Sequence, residues 1–206
     1  MKGVRYNMFN YEGRLFRALS FFADMILLQL IWVVFSLPLV TIGASTTAAY
    51  YAAMKKLEYE EGHIWSNFIR GFRSNFAQST KLWLIMVAAS VVLAGDLVFS
   101  QKAGGVLGSG LMVFFTPFAV LVLFTLIYLF PIQARFENTI LQTLKNAFLM
   151  SIANIPYTIL ALILGAALAA VGFLIPQILI VVVLCGFGLY FGITSVFFLK
   201  IFKKYQ

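Results

Sequence analysis

An all-α, polytopic membrane helical bundle is the fold class this sequence predicts, on three observations. Of its 206 residues, 62% are hydrophobic and only 11% are charged, where a soluble domain carries about a quarter charged residues. Residues 146–199 are 54 consecutive positions without a charge. As one helix they would reach about 80 Å against a hydrocarbon core of about 30 Å, so the chain must cross and return. The cations, finally, are confined to short segments between apolar blocks.

The elements follow in order. A basic start (Lys2, Arg5, Arg14, Arg17) leads into the apolar run Ala18–Leu37. That run is far longer than the roughly 7–15 residues of a signal-peptide core, so a retained first span is expected. Next comes SLPLVTIGASTTAAYY, Ser36 to Tyr51, uncharged but holding a proline, a glycine and five serine or threonine residues. Further apolar blocks are Leu82–Ser100, Leu107–Ile132, Ile152–Leu174 and Pro176–Leu199, the last two separated by Gly172 and Pro176, which fit a tight turn.

Loop charge decides how to read Pro38–Met54, because Lys and Arg collect on the cytoplasmic side. With five spans, ten cations fall on one side and five on the other. If Pro38–Met54 returns the chain, fourteen lie inside and only Lys102 outside. The expected architecture is therefore five clear transmembrane helices plus a short returning or re-entrant helix at about 38–54, with both termini cytoplasmic. Pro38 is tolerated in a first helical turn. Seventeen residues reach only about 25 Å, so the returning arm is either a thin span or a re-entrant helix buried in protein.

The chain reads as one integral membrane domain, 1–206. WVVFSLP ending at Pro38 and TLIYLFP ending at Pro131 echo one another, a weak internal duplication of about 19–100 and 107–199. The segment Glu58–Lys81 places Trp65, Phe68, Phe72 and Phe76 at helical spacing among Arg70 and Arg73. It predicts an amphipathic cytoplasmic helix whose aromatic face meets lipid headgroups, a partner, or the underside of the bundle. Arg135–Lys145, with Glu137, Asn138 and Gln142, predicts a second, more polar helix on that side. Ala161, Gly165 and Ala169, then Gly188 and Gly192, have the four-residue spacing that lets membrane helices pack closely.

Catalytic patterns are nearly absent. One histidine (His63) and one cysteine (Cys185) cannot build a His/Cys metal cluster, and the lone cysteine excludes an intramolecular disulfide. No H-E-x-x-H, G-x-S-x-G or phosphate-binding glycine loop occurs, and no cofactor is implied. The glycines at 104, 105, 108 and 110 read as a flexible outer loop. Asp24 and Asp96 lie in apolar runs, where an acid is a functional candidate by default. AGD at 94–96 resembles part of the G-x-G-D of intramembrane aspartyl proteases, but position 93 is leucine and the two acids sit at different depths. The plainer reading is that each acid lies near its interface, paired with a basic neighbour. Asp24, Thr41, Ser45, Thr46, Thr47 and Asp96 form the candidate intramembrane polar set. The candidate partner or membrane-surface face is Trp65, Phe68, Arg70, Phe72, Arg73 and Phe76. A net charge of +8 is accounted for by basic loops, so no nucleic-acid partner is expected.

Four blocks carry a resemblance: FNYEGRLFRALSFFAD (9–24), SLPLVTIGASTTAAYYAAMK (36–55), FIRGFRSNFAQSTKLW (68–83) and FENTILQTLKNAFLMSIANIPYT (136–158). In this order and spacing the chain resembles the YesL-like family of small bacterial integral membrane proteins of unassigned molecular function. The resemblance implies a bacterial cell-membrane protein linked to carbohydrate uptake, and it brings no catalytic or binding residues with it. The expected function is a non-enzymatic accessory or regulatory component of carbohydrate ABC import, with the lipid bilayer and an importer permease or sensor kinase as partners. The alternative is a small-solute transporter or channel, for which Ser45–Thr47 with Tyr50, Tyr51 and Tyr157 would supply polar and aromatic groups.

Overall fold

A computed structural model describes residues 9–59, 63–174 and 186–205, with side chains from Leu19 onward. Among these residues the chain is helical throughout. Its helices are α1 (Phe9–Ser36), α2 (Ile42–Tyr59), α3 (Ile64–Ala103), α4 (Gly105–Arg135), α5 (Ile140–Ala153), α6 (Ile155–Leu174) and α7 (Phe187–Phe202), with a 3-10 turn at Leu39–Thr41. Four segments are long and apolar enough to cross a membrane: Leu19–Ser36, Ile64–Ala103, Gly105–Arg135 and Ile155–Leu174. The expected block Pro176–Leu199 falls partly outside the described residues, as do Gln177 and Cys185; its described part belongs to α7, a shorter apolar helix.

The opening stretch does turn the chain. Pro38 sits in extended conformation (φ −74°, ψ 113°) before the 3-10 turn. The Thr41 hydroxyl donates to the carbonyls of Phe35 (2.6 Å) and Pro38 (2.7 Å), serving carbonyls left open at the end of α1. Trp83 Nε1 donates to the Leu39 carbonyl (2.9 Å) and ties the turn to α3. From Ile42 the helix continues to Tyr59, five residues beyond the expected end. Ten of its residues are buried, five of them alanine, so α2 is the helix the others enclose.

Three local readings change. First, the amphipathic segment is not separate, because α3 runs unbroken for 40 residues, about 60 Å. Nothing between Ile64 and Ala103 breaks a helix, and the change of polarity near Lys81 is a change of surroundings, not of backbone. Second, the outer glycines are mostly helical. Only Gly104 and Gly105 adopt positive φ (61° and 57°) and make the turn, whereas Gly108 lies in α4 against the Ser100 carbonyl. Third, Arg135 closes α4, and the next helix starts only at Ile140. Thr139 caps it in a reciprocal box with Gln142, an arrangement that satisfies two open backbone donors. Pro131, expected to close a span as Pro38 does, lies inside α4 near its end, where one lost backbone bond does not stop the helix. Pro156 does enforce a break: lacking an N–H, it cannot continue α5, and Asn154 takes a non-helical conformation between α5 and α6.

The core lies where α2 meets α1, the first part of α3, the end of α4, α5 and α7. Tyr128, Phe68, Phe202, Met25 and Leu82 are its large buried side chains. Gly188 and Gly192 form a seam against Phe21, Met25 and Gln29 of α1, so this small-residue pair is used within the chain. The Glu58–Arg135 pair joins the C-terminal ends of α2 and α4, and Phe136 stacks edge-on to Phe202 at the end of α7. Lys55, Lys56, Arg70, Arg73, Arg135 and Lys200 are thereby gathered toward one end, while Lys102 lies at the far end of α3.

Candidate functional site

At that cation-rich end a cleft of 740 Å³ opens between α2, α3, α4 and the 136–139 connection. Tyr51 contributes from α2, and Arg70, Ser74, Asn75 and Gln78 from successive turns of α3. Gln133 and Arg135 come from α4, and Phe136 to Thr139 and Gln142 from the connection and the start of α5. Spacing of three to four residues puts positions 70, 74 and 78 on one helical face, so a single helix supplies one wall.

A layer of fully engaged amides holds the shape. Gln133, only 5% exposed, donates through Nε2 to Asn75 Oδ1 (3.0 Å) and accepts from the Thr143 hydroxyl (3.3 Å). Asn75 Nδ2 donates to the Gly71 carbonyl (3.0 Å). One side chain thus links α3, α4 and α5, and buried polar groups paired in this way fix one arrangement. Gln78 Nε2 donates to the Asn138 carbonyl (2.6 Å) and pins the connection to α3. Beside it the Arg135 guanidinium donates to Glu58 Oε2 at 2.7 Å. A smaller 270 Å³ recess shares Tyr51, Ala134 and Arg135 and adds Lys55, whose ammonium lies over the rings of Tyr59 (4.7 Å) and Tyr51 (5.9 Å).

The expected polar set is not one site. Asp24 pairs with Lys56 at 2.8 Å, with both side chains about four-fifths covered. Thr41 caps the turn. Thr46 donates to the Ile42 carbonyl (2.7 Å) and accepts from Trp32 Nε1 (3.2 Å). Thr47 donates to the Gly43 carbonyl (3.0 Å) and accepts from the Ser79 hydroxyl (2.9 Å). Ser45 is buried. These hydroxyls fasten α2 to its neighbours at closest approach: a Cβ on Gly43 would stand 2.5 Å from Trp83 Cβ and 2.7 Å from the Ser79 carbonyl oxygen. Asp96 is remote, lying 32 residues along α3 from Ile64, which shares a recess with Asp24 and Lys56; that is about 48 Å of helix rise.

The aromatic face divides. Phe68 is buried, and Phe68 and Phe72 close on Phe35 of α1 with ring centroids 5.3 and 5.0 Å apart. Trp65 touches the same ring edge-on but is 54% exposed, and Phe76 is 41% exposed. Arg70 and Arg73 are exposed, with Arg70 on the cleft. Sequence reasoning missed the cleft as a unit. Its one local signal was T-x-x-Q at Thr139–Gln142, a helix-start pattern.

Among protein families, a model described as "Protein of unknown function, DUF624" matches residues 25–97, covering the second part of α1, all of α2 and most of α3. No curated protein matches, and no solved structure matches.

Proposed function

We propose that this chain is a YesL-like multi-pass protein of the bacterial cell membrane, with both termini cytoplasmic. In this reading it is a non-enzymatic accessory or regulatory component of carbohydrate ABC import. The observation that carries it is the amide-lined cleft at the cation-rich end. Its lining is mainly amides, hydroxyls and aromatic rings, with Arg135 already paired with Glu58 and with Arg70 and Glu137 open to a guest, groups suited to binding and orienting. Exposed Trp65, Arg73 and Phe76 lie on the same part of α3 and suit docking by a permease or sensor-kinase subunit, since aromatic and arginine side chains anchor interfaces. The transporter alternative is weakened by the close packing at Gly43 and the inward bonding of Thr46 and Thr47, which leave that region filled. In the proposed topology α2 is the re-entrant helix enclosed by protein, and the 176–199 block supplies the fifth span.

Two experiments test this. A cysteine placed beside Lys102 should react with a membrane-impermeant maleimide from outside intact cells, and one beside Arg70 should not; the reverse pattern would sink the orientation. Pull-down from native membranes should recover a permease or sensor kinase in stoichiometric amount, and W65A/R73E should lose it at unchanged expression. Recovery of the chain alone would remove the accessory role.

A further inference from the structure

Hydrogen-bonding capacity at the cleft falls into two layers, and the second points to a ligand. Asn75 and Gln133 spend their amide groups inside the protein. Gln78 uses only Nε2 and Gln142 only Oε1, so Gln78 Oε1 and Gln142 Nε2 remain for a guest. Arg70 and Glu137 line the same cleft, and among the described residues neither makes an ion pair or a side-chain hydrogen bond. One free cation and one free carboxylate cancel, and Arg135 is already balanced by Glu58. The free layer therefore offers both donors and acceptors without net charge. Inorganic phosphate or a nucleotide would need uncompensated positive charge.

Tyr51 and Phe136 add two aromatic rings to this lining. A ligand that uses the whole cleft has many hydroxyls, each both donor and acceptor, and an apolar C–H face to lie on a ring. Its volume falls within the roughly 300–1,000 Å³ of small-molecule sites. We infer that the cleft binds a small neutral saccharide, through Arg70, Gln78, Glu137 and Gln142, with Tyr51 and Phe136 against its apolar face. This deepens the accessory reading and rests on it for biological meaning: sugar occupying the cleft would be the signal that the protein passes to its partner.

The test is isothermal titration of the full chain in lipid nanodiscs with maltose, cellobiose, raffinose and L-glutamine. Maltoside and glucoside detergents are excluded, because their sugar headgroups would compete. Saturable binding of at least one saccharide is expected, weakened tenfold or more by Glu137→Gln and by Arg70→Met at unchanged thermal unfolding midpoint. No saturable saccharide binding overturns the inference, as do saccharide affinities that both variants leave intact. Saturation by L-glutamine alone also overturns it, since Arg70 and Glu137 would then be reading the carboxylate and ammonium of an amino acid. Partner capture without saccharide binding removes this inference and leaves the accessory role standing. Saccharide binding without partner capture does the opposite.

Discussion

Gly43→Ala is expected to lower the thermal unfolding midpoint by several degrees, while Gly95→Ala, toward the far end of the neighbouring helix, is expected to leave it unchanged or raise it. Both glycines lie in helices, where alanine is intrinsically favoured by about 0.5–1 kcal/mol. What separates them is space. The added methyl at Gly43 meets Trp83 Cβ at 2.5 Å and a backbone oxygen of Ser79 at 2.7 Å, and at Gly95 it meets nothing within 4 Å. A backbone atom cannot swing aside as a side-chain end can, so α2 and α3 must part. Overpacking of this kind costs about 1–3 kcal/mol, more than the helix preference returns. Separation would also strain the Ser79–Thr47 bond across the same seam. Gly188→Ala is expected to be at least as harmful, because its methyl would run into the Met25 carbonyl of α1. Intrinsic tryptophan fluorescence during heating is a suitable probe, since Trp83 and Trp32 lie beside these seams. Equal midpoints for the Gly43 and Gly95 variants would mean that α2 is not seated against α3 as described.

The contrast also shows what was legible in the sequence. Apolar blocks are visible because the bilayer's demand is local: about twenty residues in a row must lack charge. The turn at Pro38 was legible for a similar reason, proline and threonine acting on carbonyls a few residues away. The continuity of α3 was hidden because hydropathy changes near Lys81 while the backbone does not. The lysine that pairs with Asp24 was visible only as a loop cation, and the Glu58–Arg135 pair spans 77 positions. The cleft was hardest to see. Its amides carry no charge and follow no fixed spacing, and Tyr51, Gln78 and Gln133 converge only once three helices have packed. Apart from Gln133, Ala134 and Arg135, its residues did stand inside the family-like blocks, 36–55, 68–83 and 136–158, but nothing in those blocks said that they meet.

Breaking the Glu58–Arg135 pair is expected to destabilise the protein, and removing both partners together is expected to restore most of the loss. Glu58 and Arg135 have side chains 17% and 22% exposed and meet at 2.7 Å. Removing one member of a fully buried pair costs about 3–5 kcal/mol, because the survivor is left charged and unpaired. Residual exposure lets water reach each group, so about 2 kcal/mol is the expected cost of Glu58→Leu or Arg135→Met here. Replacing both, as in E58L/R135M, removes the stranded charge, and an apolar pair of similar size can be nearly as stable. The double-mutant cycle should therefore return a coupling of about 1 kcal/mol or more, and strictly additive losses would show that the pair is solvent-screened. The same variant separates stability from shape. Arg135 belongs to both the 740 Å³ cleft and the 270 Å³ recess, and the pair stands at their boundary. A stable E58L/R135M chain that still captures the proposed partner would assign that pair to holding α2 against α4. A stable chain that has lost capture would assign it to the form of the binding surface, since the ends of both helices would still be packed and only the polar wall between them changed.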